Sequence, residues 1–551
     1  MLAPSAPSAS PATLLMIPER PRRRLGSRAG RTSAMNPAPV LVVGGGHNGL
    51  VAACYLAKAG RRVVVLEASD KAGGGSRTDE TIPGHLFNTH SAAHNIINMT
   101  RIPAELDLAG AGLEYIPMEP FATGLFRDGR IVRFHRDIEQ TVASIAEHDR
   151  AEAEAYRAFM HKAVPLVRTA VTGLESGSTP GGVGKAVADK LWPLLQGIKR
   201  SGGPIGLTRD LVTPYGALLE RTLVSDLTRA PVSAFASHSS AGPHQAGGSF
   251  YVYWQAAYHL FGQWHPRGGS QSLADALVRR LEGWGGEVRT SSPVARIDAS
   301  GGRARAVELE DGSRLEASAV VTAVDVQTAL LRLLDPPLAG RDGRELAAAH
   351  RGNAVQLVVH LATDRLPPYP GAREGDWNGL QSHVDTVDQL RRGFLAAEDR
   401  RLPDEPPTYC FTPSVYDDSL APAGRHTVYL ACPSAPYDLR GGWESQAEDF
   451  ADRMVEQVEQ HAPGFTASIK ARTVRTPTLM AEELRWPGAH PMFLDISLDQ
   501  LAFLRPTRRL AGHTVPGVAD LYTCGASTAP VGGIAGSSGK AAALELLKAQ
   551  P

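Results

Sequence analysis

Three glycines, Gly44, Gly46 and Gly49, stand in the spacing G-x-G-x-x-G, and an acid, Glu67, follows about 20 residues later. This set of residues suits a dinucleotide. Gly44 permits a tight turn, Gly46 lets a diphosphate approach the backbone, and Gly49 lets a helix lie close to a strand. A helix that begins at such a loop points unpaired N–H groups and the positive end of its dipole at the phosphates. Glu67 is placed to accept hydrogen bonds from an adenosine ribose. His47 and Asn48 lie inside the loop and count as cofactor-side residues, not as a catalytic base.

The elements that must hold these residues are legible around them. Residues 40–43 read as a buried strand, and residues 47–59 carry Leu50, Val51, Cys54, Tyr55 and Ala57 at helical spacing, with Gly60 as the stop. Residues 62–67 form a second β-branched run, which completes a βαβ unit. Further on, residues 138–171 read as helical. Residues 176–204 read as loops around one amphipathic piece, 185–199, either a packed helix or one that touches a membrane. A helix and a strand meander follow from Ala274, with strand-like runs at 355–361 and 427–432 and a helix at 445–461. The tail is a strand, a Gly-rich turn and a closing helix.

Composition narrows the class. The 551 residues carry 57 basic and 57 acidic side chains, so no net field draws the chain to nucleic acid. No apolar run approaches the roughly 18–20 residues of a membrane span. The four cysteines, Cys54, Cys410, Cys432 and Cys524, form no C-x-x-C, which argues against a redox pair or a zinc site and fits a reducing, cytoplasmic setting. Residues 1–34 are rich in Ala, Ser, Pro and Arg with one acid, Glu19. They read as a disordered extension, as sequence ahead of a start at Met35, or as a mitochondrial leader.

Past Glu67, the stretch "ASDKAGGGSRTDE" sets a second cluster at Gly73, Gly74 and Gly75, with Arg77 close by. Here the chain resembles the large FAD-containing family of phytoene desaturases and amine oxidases, in which a Glu, a spacer and a Gly pair extend the cofactor contacts. The tail "LYTCGASTAPVGGIAGSSGKAAALELLK" resembles that family's carboxy-terminal flavin motif. The resemblance implies that Gly525, Ser527 and Thr528 lie along the ribityl–phosphate part, and that Ile534, Ala535 and Gly536 lie at the pyrimidine edge. A helix starting there aims its positive end at the ring edge, where negative charge develops on reduction. "TSSPVARI" resembles the segment whose Val294 backbone contacts adenine. The longer stretches "VVGGGHNGLVAACYLAKAG" and "HPMFLDISLDQLAFLRPTRRLAGHTVPGVADLY" resemble the branch of ketolase-type carotenoid oxidoreductases and of pyridine nucleotide-disulfide oxidoreductase domain-containing protein 2. Two positions depart from the family pattern: Ala529 stands where His is common, and "GGGSRT" is an uncommon form of the second motif.

The resemblance implies an α/β architecture: a Rossmann-like FAD-binding domain built from discontinuous segments (39–108, 264–337, 487–551), with an inserted α+β substrate domain (109–263, 338–486) after an extension at 1–38. It implies noncovalent FAD and removal of a hydride, or its equivalent, from a lipophilic, carotenoid- or polyene-like molecule, with oxygen or another acceptor reoxidising the flavin. The alternatives are an amine or amino-acid oxidase on the same fold, and a non-catalytic prenyl-protein escort of related fold. Peripheral membrane contact is compatible with such a substrate. The aromatic stretch Phe250, Tyr251, Tyr253, Trp254, Tyr258, Phe261 and Trp264 reads either as a substrate wall or as core. His47, His94 and His265 read as structural histidines, and Asp495, Asp499 and Arg505 as loop fasteners; no catalytic acid or base and no metal ligand is assigned.

Overall fold

The strand β1 (Val40–Val43) is buried along its whole length, which its unbroken apolar sequence requires of a central parallel strand. It pairs in parallel with β2 (Val63–Leu66) on one side and with Ala319–Thr322 on the other, in a register that runs from Val40↔Ala319 to Val43↔Thr322. The helix α1 (His47–Lys58) crosses between β1 and β2. Glu287–Arg289 joins beyond β2, and Val518–Thr523 joins beyond Ala319–Thr322, giving an otherwise parallel six-stranded sheet edged by the short antiparallel strand Thr514–Val515. The structure, a computed structural model, describes residues 38–176, 180–530 and 532–551. The expected extension or leader lies outside the described residues, apart from Ala38.

Two further large sheets and two two-stranded ones complete the α/β fold. A four-stranded sheet is built from strands between residues 294 and 335. A seven-stranded mixed sheet runs in the order Ile469–Arg475, Ala354–Thr363, His426–Pro436, Tyr409–Phe411, Leu380–Ser382, Ala122–Leu125, Ile131–Phe134. Successive side chains of a strand face opposite ways, and this sheet uses both faces. Leu357, Val359 and Leu361 pack with Phe450, Met454 and Val458 of the helix Ala447–His461, while Val358, Tyr409 and Tyr429 belong to a different core on the other side.

Two helical expectations are corrected. The run expected as one helix at 138–171 is two, Ile138–Ala146 and Arg150–Ser176. Asp149 makes the break, because its carboxylate accepts from the Ala151 and Glu152 N–H groups and starts the second helix. The stretch read as loops around one amphipathic piece is three short helices, Pro180–Asp189, Leu191–Arg200 and Gly203–Val212. The "RSGGP" breaker marks a single turn, at Gly202 with φ +82°, between two helices. Docking on the long helix supplies the stability that the local sequence lacks: a Cβ on Gly197 would stand 2.5 Å from Leu166 Cδ2.

Candidate functional site

The loop after β1 is built as its glycines require. Gly44 has φ +101°, and a Cβ there would meet Val324 Cγ1 at 2.9 Å; a Cβ on Gly49 would stand 2.1 Å from the Gly44 carbonyl oxygen. Gly46 differs from both. Its backbone is ordinary (φ −67°, ψ 165°), and the nearest atom to a Cβ would be Gly74 Cα at 4.0 Å. It borders space that the protein does not fill. Gly73 bridges to Gly46, and the Gly73 N–H donates to the Gly45 carbonyl at 2.9 Å, so the second glycine cluster closes on the first.

Glu67 orders this loop. Its Oε2 accepts from the Gly45 N–H at 2.7 Å and its Oε1 from the Ser69 N–H at 2.8 Å, leaving each oxygen a lone pair for a ribose hydroxyl. The segment leading to Val294 runs beside it: the Ser292 N–H donates to the Glu67 carbonyl and the Ser291 N–H to that of Ser69, each at 2.8 Å. Arg77 is engaged elsewhere, paired with Asp79 at 2.8 Å and Asp70 at 3.2 Å. It borders a second, polar cavity of about 430 Å³ that begins at Ala68.

The carboxy-terminal motif arrives at the same place. The closing helix Ser537–Ala549 crosses α1 so tightly that a Cβ on Gly539 would lie 2.0 Å from the Asn48 carbonyl oxygen. The contact falls in the first turn of both helices, so their amino termini converge. Neither helix has a side-chain cap, for α1 begins on Gly46 and the closing helix on Gly536. His47 donates through Nε2 to the Gly533 carbonyl at 3.0 Å, 486 positions away, and the Asn48 side-chain amide lies 2.9 Å from the same nitrogen. Burial pushes the His47 pKa down to about 4, so the ring is neutral at pH 7. The Ile97 N–H donates to the Ile534 carbonyl at 2.9 Å. Gly525, with φ +115°, turns the chain away from the sheet. The hydroxyls of Ser527 and Thr528 serve this turn: Ser527 accepts from the Val326 N–H at 3.0 Å, and Thr528 donates to the Gly525 carbonyl at 2.9 Å. Ala535 is buried.

One cavity of about 310 Å³ joins the two ends of the chain. His47, Gly74 and Gly75 line it from the first motifs, and Ala526, Gly533 and Ile534 from the last. The remaining walls are mostly aromatic or aliphatic. Tyr251, Trp254 and Tyr258 face it, whereas Tyr253 of the same stretch is buried in the helical core with its hydroxyl on Asp210 at 2.9 Å. Gln356 and Val358, and likewise Tyr409 and Phe411, reach it from alternate positions of their strands. Sequence reasoning named none of these four, nor His90 and His238, and only the i, i+2 alternation marks the strand pairs. His238 donates through Nδ1 to the Ala234 carbonyl at 2.9 Å, packs at a tilt against Tyr409 with ring centroids 4.2 Å apart, and keeps Nε2 unpartnered among the described residues. Desolvation pushes its pKa down to about 4 and that of His90 down to about 3. The described lining residues include no Asp, Glu, Lys or Arg. The chamber is therefore uncharged at neutral pH.

The other singled-out residues are fasteners. His94 is buried between the Tyr115 and Ser270 hydroxyls, each at 3.1 Å. His265 pairs with Asp417 at 2.8 Å, both fully buried. Arg505, also fully buried, donates to the carbonyls of Met492, Leu494, Asp495, Gln500 and Ala526, and so ties the 492–500 loop to the turn after Thr523. All four cysteines are buried and unpaired. No cluster of metal-ligating side chains occurs among the described residues.

The residues fit a dinucleotide. Gly46 and Gly75 leave open space where a Cβ would point, and two uncapped helix starts face the same place. The family model described as flavin containing amine oxidoreductase matches residues 49–547. The mouse protein called pyridine nucleotide-disulfide oxidoreductase domain-containing protein 2 is 28% identical over 94% of both chains. The lycopene-forming phytoene desaturase of Pantoea ananas is 26% identical over 92% of this chain and 98% of its own. An engineered putrescine oxidase shares the fold, with a TM-score of 0.62 at 16% identity over 93% of this chain and 99% of that one.

Proposed function

The chain belongs to the flavin-containing amine oxidoreductase family, and on that footing we propose that it is an FAD-dependent oxidoreductase that takes a hydride, or its equivalent, from a small apolar molecule held in the uncharged chamber. Bound FAD would supply the two-electron acceptor. The loop at Gly44–Gly49 would hold the diphosphate, Glu67 the ribose and the segment ending at Val294 the adenine. Gly525, Ser527 and Thr528 would lie along the ribityl–phosphate part, and Ile534, Ala535 and Gly536 would border the ring, which would be held without a covalent link. His47 keeps the Gly533 carbonyl in place, and the aromatic walls exclude water from the reacting bond. We assign residues 39–108, 264–337 and 487–551 to the cofactor domain, because the six- and four-stranded sheets draw every strand from them. Residues 109–263 and 338–486 supply the seven-stranded sheet that walls the chamber.

The observation that carries this reading is the single chamber, free of charged side chains, that touches both glycine motifs. An ionised substrate would lose its hydration there without a partner. Two substrate classes satisfy that condition. A lipophilic amine reacting as its neutral form is supported by the family description and by the likeness to putrescine oxidase, and the comparisons back this class more strongly. A polyene is supported by the phytoene desaturase relative and by the apolar walls. An escort role has no support from the intact nucleotide loop. Anaerobic mixing of the FAD-loaded protein with lipophilic amines, polyenes and hydroxy acids decides between them. Bleaching of the flavin band by one of the first two classes selects it. Bleaching by the hydroxy acids alone, or no FAD uptake, refutes the proposal.

A further inference from the structure

The helices Leu191–Arg200 and Gly203–Val212 carry apolar side chains that nothing in the described chain covers. Trp192 is 70% exposed, Leu195 48% and Ile205 86%. At about 100° per residue, Trp192, Leu195 and Lys199 fall on the side of their helix opposite Gly197, and Gly197 is the residue pressed against Leu166 of the long helix. The helix thus docks by its glycine side and presents its apolar side outward, the reverse of an ordinary amphipathic surface helix.

Charge selects what can cover this face. Lys185, Lys190, Lys199, Arg200 and Arg209 belong to the same helical stretch, and Lys199 falls on the same side of its helix as Trp192 and Leu195. Of the two acids in the same stretch, Asp189 is exposed and Asp210 is buried in pairs with Lys162 and Arg221, with the exposed Arg209 3.8 Å away as a third, looser partner. A second copy meeting it face to face would set cation against cation. Residues 1–37 carry six arginines and one acid, Glu19, a net charge of the same sign as this stretch. An anionic surface carries the opposite sign.

We propose that this face is a docking surface for an anionic lipid bilayer, with Trp192, Leu195 and Ile205 entering the headgroup boundary and the cations resting on lipid phosphates. Aromatic and aliphatic side chains ringed by Lys and Arg make a helix lie in the interface plane. Position gives the surface a purpose. The helix Gly203–Val212 is tied to the next wall inward, since Ser249 donates to the Thr213 carbonyl and Tyr253 to Asp210. The same short helix carries Tyr251, which lines the chamber. A bilayer-dissolved molecule would reach the protein one helix away from the cavity.

The test is flotation of the full chain, with FAD, on vesicles of phosphatidylcholine alone and of phosphatidylcholine with phosphatidylglycerol. We expect binding to the anionic vesicles, weakened by salt, and weaker by roughly tenfold or more in Trp192→Glu/Leu195→Glu. Both substitutions fall on exposed positions. No binding to anionic vesicles, or equal binding by the double variant, overturns the proposal. The native cysteines are buried, so Leu195→Cys accepts a single environment-sensitive dye. A blue shift on adding anionic vesicles supports bilayer docking. A blue shift that grows with protein concentration in their absence assigns the face to a second copy, and one present at all dilutions assigns it to the chain itself; either result overturns it.

Discussion

Gly46 and Gly539 have opposite surroundings, and replacing each separates nucleotide binding from folding. At Gly46 the backbone is ordinary, and the nearest atom to a new Cβ is 4.0 Å away. Gly46→Val therefore costs the apoprotein about 1 kcal/mol at most, the loss of a tolerable cap. The isopropyl group fills the space in which the diphosphate would meet the backbone. Losing two charge-assisted hydrogen bonds of about 1.5 kcal/mol each weakens FAD by about 3 kcal/mol, on the order of a hundredfold. At Gly539 a Cβ would stand 2.0 Å from the Asn48 carbonyl oxygen. Gly539→Ala must push α1 and the closing helix apart, which costs about 1–3 kcal/mol in the apoprotein. Flavin titration of the apoprotein measures the first effect, and urea unfolding without FAD the second. If Gly46→Val binds FAD as the parent does, or unfolds while Gly539→Ala does not, the assignment of the loop and of the helix crossing is wrong.

Burial lowers the pKa of His47, His238 and His259 to about 4 from an ordinary 6.5. Below pH 6.5 the unfolded chain binds protons that the folded one refuses, so stability falls from pH 6.5 towards 4, by about 1.4 kcal/mol per histidine at pH 5.5; urea midpoints across that window check the slope. Asp417→Asn leaves His265 without its buried charged partner and is expected to destabilise by about 3 kcal/mol, while FAD affinity measured on the folded fraction stays unchanged. The same carboxyl, held down to about 2 by His265, Ser419 and the Gly268 N–H against the opposing effect of burial, contributes stability above its ordinary range that is lost as pH falls towards 2. Arg505→Lys offers three donors where five carbonyls now share a guanidinium. At least two acceptors lose their partner, for a loss of about 2–4 kcal/mol read by unfolding.

Spacing and residue type alone determined the βαβ unit, because a strand, a turn and a helix are decided within about 30 contiguous residues by period and glycine. Glu67 and the carboxy-terminal glycine turn were legible for the same reason, and so were the fasteners Arg505 and His265 as residues without a catalytic setting. Tertiary structure alone decided that Asn48 and Gly539 touch, that His47 reaches Gly533, and that Tyr251 faces a chamber while Tyr253, two residues on, faces Asp210. It also decided that His238 and Gln356 share that chamber, and that Trp192 points outward. Each is a long-range choice between faces of an element. A period marks which residues share a face; only the partner that packs against one side settles which face is covered.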